Sequence, residues 1–166
     1  MALPKIFTHN GTMSAGVTLI EILLVMGILA IVSGLALVTT FDSLRAYGFK
    51  HERDILVVLL QKARSQATSG VCLGALCVGG KQHGVSVQSS RYVVFEGSSY
   101  ATRDVSVDEY IAVNYPVSAS GLSEVVFVEL SGDAIPSSLG SITLSDSAGH
   151  TSRIDINSEG RIAWTN

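Results

Sequence analysis

The chain has 166 residues and a formal charge of −3, enough length for one domain plus an extra element. An acidic balance argues against sequence-independent nucleic-acid binding, which rests on neutralising phosphates. Two cysteines are too few for a disulfide scaffold, and no second Cys or His pair stands at zinc-finger spacing.

Residues 1–16 form a polar leader whose one formal charge is Lys5, so its removal makes the charge −4. Ser14, Ala15 and Gly16 then precede an apolar run. From Ile22 to Phe41 there are 20 uncharged residues, roughly 30 Å of helix and about the thickness of a bilayer core. A secretory signal has its small residues after the apolar run. Here they come before it, so cleavage would remove the leader and keep the helix. The mature chain would begin at Val17, with Glu21 as its fifth residue. A lone acid at the head of an apolar run is costly without a cation. The run holds none, so the partner is expected on another molecule or at a new amino terminus. The expected topology is a single pass of the inner membrane, with the leader cytoplasmic by the positive-inside rule and the remainder outside.

The segment Gly16-Val17-Thr18-Leu19-Ile20-Glu21 closely resembles the processing signal of type IV prepilins and type II secretion pseudopilins. The resemblance covers residues 16–40. It implies that a prepilin peptidase cuts after Gly16 and methylates the new terminus at Val17. It also implies that Glu21 engages the amino terminus of an adjacent subunit. Val17 stands where the family most often has phenylalanine, and the helix lacks the proline of many major pilins.

Residues 42–69 read as an amphipathic continuation, with Leu44, Tyr47, Ile55, Leu56, Leu59, Leu60, Ala63 and Ala67 on the covered face. Asp42, Arg45, Lys50, Glu52, Arg53, Lys62 and Arg64 fall to the solvated face, and Gly48 is a point of bending. Beyond Gly70 the pattern turns to short strands at 84–88, 91–96, 110–113, 125–130, 141–144, 153–156 and 161–164. Ser89-Ser90 reads as a hairpin turn, and the apolar run at 125–130 as a central strand. The expected fold is α+β: a long N-terminal hydrophobic helix packed on an antiparallel sheet. Three parts follow, namely a cleaved leader at 1–16, a transmembrane and assembly helix at 17–69, and a β-rich head at 70–166. The strand order and the closing Ser158-Glu159-Gly160-Arg161 turn are similar to H-type pseudopilins and FimT-like minor pilins, a looser likeness than the first.

No motif points to catalysis. His9, His51, His83 and His150 are scattered, no G-x-S-x-G elbow is present, and Gly79-Gly80-Lys81 lacks the rest of a phosphate loop. Asp104, Asp108 and Glu109 lack the calcium-loop pattern. No enzyme activity, cofactor or metal is expected. Cys72 and Cys77 suit a local disulfide if the domain is exported, and otherwise two thiols. Some FimT-like pilins bind DNA through a Gly-Arg-x-Arg motif. Here Gly160-Arg161-Ile162-Ala163 keeps one arginine, so DNA contact at Arg161 is expected to be weak. The expected partners are prepilin peptidase, other pilin subunits and the inner membrane. The expected function is that of a minor pilin or pseudopilin, the alternative a pilin-like receptor for DNA or a surface ligand.

Overall fold

The computed structural model describes residues 16–74 and 79–166, with only the helical backbone described at 35–41. Residues 1–15 of the expected leader, and Cys77, lie outside the described residues. One helix, α1, runs Leu19–Thr68. Eight strands follow: β1 His83–Val87, β2 Arg91–Glu96, β3 Glu109–Ala112, β4 Ser118–Gly121, β5 Glu124–Phe127, β6 Gly140–Ser145, β7 Thr151–Ile156 and β8 Ile162–Thr165. By contacts the chain divides into Met1–Phe41 and Asp42–Asn166.

Two corrections follow. Among the described residues no helix is long and apolar enough to cross a membrane, so the expected single-pass inner-membrane anchor is not supported. From Val17 to Val32 the large apolar side chains of the amino-terminal segment are exposed. The part of α1 that packs is residues 49–67, and it meets two four-stranded antiparallel sheets rather than one.

The first sheet has the order β3-β2-β1-β5 and the second β4-β6-β7-β8. Val85 faces Val94 and Val125, and Ile142 faces Ile154, so the inward positions of each sheet line up across strands. These side chains, with Tyr92, Phe127, Leu144 and Ile156, join Leu56, Leu60, Ala63 and Ala67 in one core. Full burial of each large aliphatic contributes about 1.5–3 kcal/mol.

Residues 125–130 do not make a central strand. β5 ends at Phe127 and lies at a sheet edge, where Val126 N donates to the buried Ser138 hydroxyl at 2.9 Å. β4 had no apolar signature in the sequence; it is Ser-Ala-Ser-Gly and wholly exposed. The loop at 97–108 closes over the other face of β2. Tyr100 sets its ring edge-on to buried Phe95, and Arg103 lies 3.7 Å over the Tyr100 ring while its Nε donates to Asp108.

The face of α1 also differs from expectation. Leu44 and Tyr47 are exposed, whereas Glu52 and Arg53 are buried. Gly48 lies within the continuous helix. A Cβ there would stand 2.5 Å from the Tyr115 ring, so glycine is what lets Tyr115 close on α1. Glu52 Oε1 accepts from the backbone N–H of Asn114 and Tyr115, both at 2.9 Å. Burial, and then the Glu52 charge, push the Tyr92 phenol well above its ordinary value. The Tyr115 hydroxyl donates to Asp146, which also binds His150 Nδ1 at 2.8 Å, and the His150 ring stacks on Phe49.

Burial pushes the Asp146 carboxyl up, but hydrogen bonds from His150, Tyr115 and Ala148 outweigh it and hold it down at about 2. A depressed carboxylate stabilises the fold above its unfolded value of about 3.9 and loses that contribution as pH falls through the folded one. Between about pH 4 and pH 2 the unfolding midpoint should therefore fall less steeply in Asp146→Asn than in the parent chain, as read by circular dichroism.

Candidate functional site

Gly16, Val17 and Thr18 are exposed and outside the helix, and α1 starts at Leu19. Thr18 precedes the helix as its cap: its hydroxyl and its carbonyl both accept from Glu21 N, at 3.3 and 3.1 Å. Thr18-Leu19-Ile20-Glu21 thus has the spacing of a capping box, with Glu21 at the third helical position. A carboxylate there is favoured by the helix dipole. The Glu21 side chain is exposed and forms no ion pair among the described residues. With Val17, Ile22, Val25 and Met26 it borders a shallow groove of about 240 Å³.

The apolar side chains that follow point in every direction. Leu19, Ile20, Leu23, Leu24, Val25 and Met26 are all exposed, as are Ile28, Leu29, Ile31 and Val32. A helix apolar all round is ordinarily buried. The segment therefore offers a wide apolar surface with a single acid at its head.

The other sequence-predicted residues lie elsewhere. Cys72 is disulfide-bonded, and its Sγ lies 3.7 Å from Glu96 Oε1. The second Glu96 oxygen accepts from Leu73 N at 2.6 Å, tying the chain beyond α1 to β2. His83 makes a similar tie, its Nε2 donating to the Val71 carbonyl at 2.9 Å. Arg161 is exposed at the start of β8, away in sequence from both Glu21 and Cys72. Among the described residues no group of three His, Cys, Asp or Glu side chains is placed to hold a metal ion.

Arg161 has a neighbour that the sequence did not reveal. Together with Arg64 of α1 it lines an open groove of about 440 Å³, whose other walls include Gln61, Ser65, Thr68 and Ser131. Arg64 is held by two backbone carbonyls: Nε donates to Gly132 at 3.2 Å and Nη2 to Glu159 at 2.8 Å. The turn that brings them together needs glycine at 160. Its φ is +67°, and a Cβ there would meet the Gly132 carbonyl oxygen at 2.0 Å. Arg64 and Arg161 are 97 residues apart, so no local motif could have paired them.

Compared with protein-family models, with characterised proteins and with solved structures, the chain matches none.

Proposed function

We propose that this chain is a minor pilin or pseudopilin subunit, trimmed after Gly16 by a prepilin peptidase and assembled through the apolar part of α1 into a pilus or a type II secretion pseudopilus. The observation that carries this reading is the all-round exposure of the apolar side chains between Leu19 and Val32, with Glu21 as the only acid among them. Such a surface is a liability for an isolated chain and a packing surface for a helical assembly. Trimming after Gly16 creates an ammonium at Val17, one helical turn from Glu21. Between adjacent subunits that ammonium neutralises the carboxylate, and a paired acid in an apolar core costs far less than a lone one. The Gly16-Val17-Thr18 segment, exposed and ahead of the helix, is accessible to a peptidase. The head then supplies the surface that distinguishes this subunit from its neighbours.

The test is mass spectrometry of the amino terminus after coexpression with and without a prepilin peptidase. The expected product starts at Val17, with or without one methyl group, and forms only when the peptidase is present. A chain that keeps its leader in both cases, or is cut beyond Val32, overturns the assignment.

A further inference from the structure

The groove between α1 and the β7–β8 turn has features that packing alone does not explain. Two guanidinium groups line it and no carboxylate does. Arg64 is bound on one edge by neutral carbonyls, which fix its orientation without cancelling its charge. The Arg161 guanidinium forms no hydrogen bond among the described residues; its backbone alone is engaged, its N–H donating to Asn157 Oδ1 and its carbonyl accepting from Asn157 N. Ser65, Thr68 and Ser131 place hydroxyl-bearing side chains around the two cations.

Beside the groove, Leu130 breaks two rules at once. It is the only non-glycine among the described residues with positive φ, at 66°, and its side chain is 70% exposed. Leucine in this region is strained, and an exposed leucine recovers nothing by burial. The strain is held in place by the tight turn around it: Leu130 N donates to the Ala67 carbonyl at the end of α1, and Gly132 N to Val128. Strain maintained by its surroundings is a mark of functional surface.

The geometry points to a docking surface for an acidic segment of a partner protein, in which Arg64 and Arg161 receive carboxylates and Leu130 inserts between apolar side chains. Arginine is enriched in the cores and hot spots of protein interfaces. Charge decides between protein and nucleic acid. A chain of net −3 repels a polyanion at long range, whereas one or two carboxylates gain from the guanidinium pair at contact distance. The inference does not depend on the filament reading, because every residue it uses lies between 61 and 162.

The probe is a dye-labelled pentapeptide, Glu-Leu-Glu-Leu-Glu, titrated with the full chain in non-ionic detergent and followed by fluorescence anisotropy. A thymidine oligonucleotide of the same length is run beside it at the same salt. The expected result is saturable peptide binding that weakens about tenfold in Arg161→Gln, a substitution that removes no hydrogen bond within the fold. Leu130→Gly should weaken peptide binding and at the same time raise the unfolding midpoint, because glycine relieves the strained φ. Peptide binding that is absent, or equal in Arg161→Gln, overturns the proposal. Tighter binding of the oligonucleotide than of the peptide overturns it in favour of nucleic acid. A lower midpoint in Leu130→Gly overturns the role given to Leu130.

Discussion

Replacement of Glu21 by alanine should reduce incorporation into filaments at least tenfold while leaving the fold intact. The two halves of this expectation have separate causes. Glu21 is exposed, and the cap contacts to Thr18 use its backbone N–H rather than its carboxylate. Within the subunit its side chain contributes only its placement at the helix start, so the stability of the head should change by less than about 0.5 kcal/mol. In the assembly proposed above the carboxylate would face an ammonium inside an apolar core. Removing one partner of such a pair leaves the other buried and unpaired, at a cost of about 3–5 kcal/mol. Glu21→Asp keeps the charge on a shorter arm and should retain part of the incorporation. The measurement is the ratio of chain in the sheared filament fraction to chain in whole cells, with the urea midpoint of each variant as the control on folding. Unchanged incorporation of Glu21→Ala would show that the acid serves only as the third residue of a capped helix.

Replacement of Glu52 should have the larger effect on stability. Glu52 is wholly buried, and one of its oxygens receives two backbone N–H groups. Its other oxygen, and the buried Tyr92 hydroxyl, have no hydrogen-bond partner among the described residues. Two effects therefore oppose each other. Hydrogen bonds to a charged acceptor contribute about 1.5–3 kcal/mol each. The half-satisfied, desolvated charge detracts. The pair of hydrogen bonds should win, because they hold the loop at 114–115 against α1, and Glu52→Ala should lower stability by about 3 kcal/mol. Three substitutions separate the causes. Glu52→Gln keeps an acceptor and should recover about half of the loss. Glu52→Leu keeps the volume without the acceptor and should be nearly as damaging as alanine. Stabilisation by leucine, read from urea unfolding, would mean that the cost of burying the charge outweighs what its hydrogen bonds contribute.

Local pattern and tertiary packing divided the work in a way that particular residues make plain. Strands β6 and β7 were legible because their side chains alternate between a covered and a more open face, a period that the backbone imposes without help from distant residues, and β1, β2 and β8 because they are short runs with β-branched or aromatic residues set off by turn residues. The expected long apolar helix packed on one sheet did not hold, because the part of α1 in the core is residues 49–67 and it meets two sheets. β4 was not legible, since Ser118–Gly121 has no apolar side and exists only because β6 offers it an edge. Nor was the burial of Glu52 and Arg53, which rests on partners 62 and 113 residues away. Arg64 looked like one more charge on a solvated face. Only the close approach of Gly132 and Gly160 turns it into the wall of a groove with Arg161. The disposition of the apolar segment was likewise beyond periodicity, which could call for cover over residues 19–34 but could not name its source. By itself, then, the sequence determined the segments whose local pattern suffices, β6 and β7 among them, and where a lone acid heads an apolar run, because those depend on neighbours a few residues away. The tertiary structure alone decided which charges are buried, which edges pair and which cations share a groove, because those contacts join residues whose separation along the chain carries no signal.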